Sequence, residues 1–278
     1  MPTVRVDPTL TMYYEDDYFG EPWRNPEVVL LIHGVAESSR AWYAWIPHLA
    51  RSFRVLRPDL RGFGRSSIPP PGYAWSPAGF AADIEHFLDA LGQDAVHVVG
   101  AKVGGTVALQ FAADYPARTR SLAVLSGPVS ARNTGGRANL SAFAERVRTV
   151  GVQGWAMETQ RARLGSEAPE EQIEWWNDFM AGTDSRVCTE VTEMAGHLDI
   201  ATSLRRIQAP TLVVTTKKSA LASVDVVRGW QQQIANSELL VLPGDSYHIA
   251  AAEPDKCAQR VLAFINGCAS QKATSNAS

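Results

Sequence analysis

The stretch "VVGAKVGG", residues 98–105, holds the side chain best placed to do chemistry. An apolar run ending in closely spaced glycines reads as a buried strand that breaks sharply into a helix. The residue at the break then projects above the sheet at a helix N-terminus. The pattern G-x-S-x-G would put a serine there; this chain has Lys102. Acyl transfer onto that lysine is a poor prospect, because an amine attacking an ester gives an amide, which is far harder to hydrolyse than an acyl-serine. Three roles are left open. A neutral amine, its pKa depressed by burial, could condense with a ketone or aldehyde to a Schiff base whose iminium draws electrons from a breaking C–C bond. A charged ammonium could pair with an anionic substrate, or with a developing oxyanion or enolate, while a histidine activates water as general base. Or Lys102 could simply fill the pocket. The histidine to pair with it is His248, which follows an apolar run and Pro243-Gly244.

These side chains need a scaffold, and the hydrophobic pattern supplies one. "EVVLLIHG" (27–34), "AVHVVG" (95–100), "SLAVLSGP" (121–128) and "APTLVVTT" (209–216) are short apolar runs that read as strands buried on both faces. "SELLVLPG" and the start of "SFRVLRPDLRGFGRS" (52–66) add two more. Between them fall helical patterns: "PAGFAADIEHFLDALG" (77–92), "GGTVALQFAADYP", "SVDVVRGWQQQI" and "EPDKCAQRVLAFING". Strands alternating with helices imply a mostly parallel α/β sheet with helices on both faces. From 131 to 200 the alternation stops, and three successive amphipathic segments follow without a strand. The organisation expected is a core of 1–130 and 201–278 with a helical lid, 131–200, over the carboxyl edge of the strands. The polar tail from residue 270 is expected to fray.

With 26 basic against 29 acidic residues and no basic block, no nucleic-acid partner is expected. Three scattered cysteines (Cys188, Cys257 and Cys268) form neither a disulfide framework nor a metal-ligand motif, and they suit a reducing cytoplasm. No run of eighteen apolar residues occurs, and "MPTVRVDPTL" lacks an apolar core of signal length, so no membrane role is expected. "GAKVGGT" has its lysine ahead of the glycine pair, which fits neither phosphate-loop spacing nor G-x-G-x-x-G. No cofactor and no metal is expected. The oligomeric state is not readable.

Taken together, "LIHGVAESSRAW", "RPDLRGFGRS", "VVGAKVGG" and "PGDSYHIAAAEP", in this order, resemble the H-G loop, the D-x-R-G-x-G-x-S loop, the nucleophile elbow and the histidine segment of the α/β-hydrolase fold superfamily. The resemblance covers roughly residues 25–130 and 205–266. It implies an oxyanion hole built from the backbone N–H groups of Val35 and Val103. It also implies a catalytic histidine at His248 and an acid after "TLVVTT". Here the chain departs from the pattern, because Ser219 stands where the acid is expected. The other acid position, after "LAVLS", gives Ser126. Asp225, six residues past Ser219, is the nearest carboxylate that could partner His248, although a helix-start aspartate is also favoured by the helix dipole alone.

Glu37 and Ser38 follow the oxyanion loop and could face the pocket. In the lid, Trp155 and Trp176, with Trp175, Phe179 and Met180, could wall an apolar cavity, or could only pack helix on helix. His33, Asp59 and Arg61 are expected to hold loops together, and His97 to sit hydrogen-bonded in the core. The function expected is a cofactor-independent enzyme acting on a small carbonyl substrate (an ester, a lactone or a β-dicarbonyl), with a Lys102–His248 centre in place of Ser-His-Asp. The alternative is a non-catalytic, ligand-binding or vestigial homologue. An ammonium open to a cavity near His248 would favour the enzyme. An ammonium buried in an ion pair under a collapsed lid would favour the other.

Overall fold

The computed structural model describes residues 2–132 and 139–275. Its centre is one eight-stranded sheet: β1 (Thr3–Arg5), β2 (Thr11–Asp17), β3 (Val28–Ile32), β4 (Arg54–Pro58), β5 (Val96–Ala101), β6 (Thr119–Leu125), β7 (Thr211–Thr216) and β8 (Ser237–Leu242). Spatially the order is β1-β2-β4-β3-β5-β6-β7-β8. From β4 to β8 every pairing is parallel, and the strands of that region read as unbroken apolar runs because both faces are covered. β3 is buried at all five positions.

β1 and β2 form an antiparallel pair on one edge, with β2 antiparallel to β4. The sequence pattern does not announce them. β2 ends in "EDD", and these acids do not face water alone. Asp16 and Asp17 each take an arginine of the neighbouring strand, Arg54 and Arg57.

The helices are α1 (Ile46–Leu49), α2 (Pro77–Ala90), α3 (Val103–Asp114), α4 (Leu140–Leu164), α5 (Glu170–Ala181), α6 (Ser185–Gly196), α7 (Val224–Gln231), α8 (Ile249–Ala252) and α9 (Pro254–Ser275). The core lies in two layers, one on each sheet face. One layer holds Phe80, Phe87 and Phe111 from α2 and α3. The other holds Trp42, Trp45 and the buried face of α9.

α4, α5 and α6 fall between β6 and β7, within the stretch expected to be helical; its residues 133–138 lie outside the described residues. The first of the three is not one straight helix, since Gly151 has φ 72° and breaks it. α9 continues through Ser275, into the tail expected to fray; residues 276–278 lie outside the described residues. No described helix is long and apolar enough to cross a membrane.

Candidate active site

The elbow forms as its sequence demands. β5 ends at Ala101 and α3 begins at Val103, with Lys102 between them at φ 53° and ψ −126°. That backbone conformation costs a non-glycine residue about 1–3 kcal/mol and persists only where its surroundings impose it. Here the Lys102 N–H donates to the Leu125 carbonyl (3.0 Å), and its own carbonyl accepts from Gly105 and Thr106. The close approach needs Gly104, where a Cβ would run into the backbone of Ile32 and His33.

Lys102 is 5% exposed, and its ammonium is ion-paired with Oε1 of Glu37. The same oxygen lies 3.1 Å from Nε2 of His248. The other Glu37 oxygen accepts a hydrogen bond from the Gly34 N–H at 2.9 Å. One buried carboxylate therefore joins the loop after β3, the turn at Lys102 and the histidine. A Cβ at Gly34 would sit 2.7 Å from Lys102 Cε, so the lysine side chain would have to shift.

Charge states follow from burial. Desolvation pulls the Lys102 pKa down to about 8, with the Glu37 charge opposing the fall and Arg163 adding to it. The ammonium is thus the main form at neutral pH. Burial also pulls His248 down to about 4, against the raising effect of Glu37, so its imidazole is neutral there. Burial alone would raise the Glu37 carboxyl, but Lys102 and then His248 hold it well below the usual range. At neutral pH the centre is an ammonium, a carboxylate and a neutral imidazole.

Beside Lys102 is a cavity of about 40 Å³, lined by Val35, Val103, Trp155, Arg163 and Tyr247 among others. This is far below the roughly 300–1,000 Å³ of ordinary ligand pockets. Val35 and Val103 both border it, next to the ammonium. Trp155 lines it too, while Trp176 stands edge-on to the His248 ring with centroids 5.1 Å apart. Ser38 turns away. Its hydroxyl accepts from the Arg40 N–H, and it borders a separate cleft of about 250 Å³ with Arg40 and Phe179.

Neither expected acid partner is placed against His248. Asp225 is a helix-start residue whose side chain is 93% exposed and paired with Arg228. Ser219 accepts a hydrogen bond from the Leu221 N–H. What positions His248 instead is Glu37 at its ring, with its backbone N–H donating to the Arg163 carbonyl (2.8 Å) and to the Ser246 hydroxyl (3.1 Å). The insert's α4 thus holds the histidine loop directly, and Ser246 adds a bond to the same carbonyl.

His33 lies beneath, fully buried, accepting from the Leu60 N–H at Nε2 and facing the Gly34 carbonyl at Nδ1. Asp59 accepts from the Ser39 and Arg65 N–H groups, and Arg61 pairs with Asp7 and Asp83. These three hold the loops under the site. His97, buried in β5, bonds to Ser121. Arg163 and Tyr247 are the residues that sequence reasoning did not single out. Arg163 sits in the basic end of α4, "RARLG", where helix-dipole chemistry alone accounts for an arginine.

The model for the alpha/beta hydrolase fold matches residues 27–255. The chain belongs to the alpha/beta hydrolase fold family. Among relatives, this alpha/beta hydrolase fold protein is 39% identical over 104 residues to the 2-hydroxy-6-oxo-2,4-heptadienoate hydrolase of Pseudomonas putida, covering 36% of this chain and 37% of that one. It is 42% identical over 89 residues to the soluble epoxide hydrolase of a Corynebacterium species, covering 31% and 29%. The matched stretch thus spans well under half the length of these curated relatives. Among solved structures of the fold, the enol-lactonase from Burkholderia xenovorans superposes with a TM-score of 0.85 at 22% identity, covering 95% of this chain and 100% of that one. An esterase from Thermogutta terrifontis gives 0.81 at 25% identity, covering 96% and 98%.

Proposed function

We propose that this alpha/beta hydrolase fold protein is a cofactor-independent enzyme acting on a small carbonyl substrate (an ester, a lactone or a β-dicarbonyl) under a lid formed by α4–α6. Lys102 acts as a cation and His248 as the base. The reading is carried by the convergence of Lys102 and His248 on one Glu37 oxygen, beside the Val35 and Val103 backbone. Burying a lysine, a glutamate and a histidine together is expensive, and a hydrophobic replacement of similar volume is often no worse for stability. Strongly perturbed groups clustered in one place mark functional sites.

In this mechanism Glu37 Oε1 holds, in the resting protein, the position where a developing oxyanion meets the ammonium. Substrate displaces that carboxylate. Neutral His248 then takes a proton from water as the water's oxygen bonds to the carbonyl carbon. Lys102 and the two backbone N–H groups stabilise the oxyanion. As the tetrahedral adduct collapses, His248 returns its proton to the departing oxygen or carbon. A Schiff base is less favoured, since Lys102 is mainly protonated at neutral pH and already paired. The Pseudomonas putida relative, named as a hydrolase of a small oxo compound, is in keeping with this substrate class.

A second reading, a binding protein without turnover, is favoured by the small cavity and the ion-paired ammonium. The deciding experiment is hydrolysis of a panel of small esters and lactones by wild type, Lys102→Ala and His248→Ala. Turnover lost in both variants supports the centre. Turnover that survives His248→Ala removes His248 as the base, and a wild type inert on the whole panel and on β-dicarbonyls leaves the binding reading.

A further inference from the structure

Arg163 is a charged cavity residue that the mechanism leaves unexplained. It is 3% exposed, yet no carboxylate pairs with it among the described residues. Its Nε donates to the Thr159 hydroxyl at 3.0 Å, and its guanidinium stacks over Trp155 (4.3 Å to the ring centroid) and lies 5.6 Å from the Tyr247 centroid. Its Nη2 is buried without a hydrogen-bond partner, and so is the Trp155 indole N–H. Aromatic faces accommodate a guanidinium but do not neutralise it. A guanidinium is a permanent cation, so this charge cannot be shed by losing a proton as an amine's can.

Lys102 and Arg163 both line the cavity and are positive, Glu37 behind Lys102 is negative, and His248 on the same carboxylate is neutral. One positive charge is left over in a place shielded from water. A buried cation without a counter-ion is strongly unfavourable, and the group that fits a planar fork of donors is a carboxylate, held by two parallel N–H···O bonds. Lys102 and Arg163 line the same cavity of about 40 Å³.

We infer that Arg163 is the seat for a carboxylate carried by the substrate, so that the protein takes small carbonyl acids, with the carbonyl at Lys102 and His248 and the carboxylate at Arg163. The inference rests on reading this cavity as the substrate site, but it does not depend on turnover. A protein that only binds would select the same acids.

The test uses acetate as the probe. Thermal melting is followed for wild type, Arg163→Met and Arg163→Lys in about 100 mM sodium acetate and in sodium chloride of equal ionic strength. Wild type should melt about 2–3 °C higher in acetate, as expected for a ligand present at roughly ten times its Kd. Arg163→Met should lose that increment, and in chloride it should melt no lower than wild type, because it removes an uncompensated buried charge. Arg163→Lys, which keeps a charge but not the fork, should keep a smaller increment. Equal melting of wild type in acetate and chloride overturns the inference. So does an acetate increment that persists in Arg163→Met. Acetate binding through Arg163 with no turnover on the ester panel would refute the catalytic reading and keep the carboxylate seat. Turnover without an acetate increment would do the reverse.

Discussion

The depressed pKa of Lys102 makes the stability of this protein depend on pH between about 8 and 10.5. In the folded chain the lysine has a pKa of about 8, against 10.5 for an ordinary lysine. Between those values the unfolded chain binds a proton that the folded chain has released, so stability rises with pH across that interval. The full span of 2.5 units corresponds to about 3.4 kcal/mol at 1.36 kcal/mol per unit. From pH 7 to pH 9.5, where the folded lysine has lost its proton and the unfolded one has not, the gain works out at about 2 kcal/mol. The perturbation is the double variant Lys102→Met with Glu37→Gln, which removes both buried charges and leaves the rest of the chain's titration shared with wild type. The assay is urea unfolding of both proteins at the two pH values. Wild type should gain about 2 kcal/mol on the variant between them. A difference between the two proteins that does not change with pH would refute the argument that burial, rather than pairing, dominates at Lys102.

Two further outcomes follow from the same geometry. Turnover that needs a neutral His248 and a charged Lys102 should hold a plateau between about 4 and about 8, falling on the acid side as the imidazole protonates and on the alkaline side as the ammonium is lost; a pH–kcat/KM profile checks it. Gly104→Ala should lose about 3 kcal/mol or more, because the new methyl meets backbone rather than a movable side chain, and urea unfolding reads it directly.

Much of the scaffold was legible because its strands are buried on both faces, so that β3, β5, β6 and β7 stand out as apolar runs. The β1–β2 hairpin was not, since it lies at a sheet edge and β2 ends in acids whose partners are arginines about forty residues away. The break at Gly151 hides inside a pattern that is periodic on both sides of it. In the site, the glycines around Lys102 announce a turn by composition. His248 is marked by its setting, a strand followed by Pro243-Gly244. Glu37 was visible only as a polar residue near the right loop. Nothing in "HGVAESS" says that its carboxylate closes back on Gly34 and reaches both Lys102 and His248, because that depends on how three loops meet. Asp225 illustrates the opposite error: it is close in sequence to the expected acid position, yet its helix directs it to solvent.

The Arg163 carbonyl takes the His248 N–H and the Ser246 hydroxyl, while the Arg163 side chain reaches the cavity. Under the proposed mechanism the end of α4 would therefore work like a clutch. Were that end to swing outward to admit a molecule, it would release the backbone of the histidine loop and disengage the proposed base; seating again, it would return cation and imidazole to register in one movement. Opening at this end and readiness to react would exclude each other, so that water entering an open site would find no aligned base to use it.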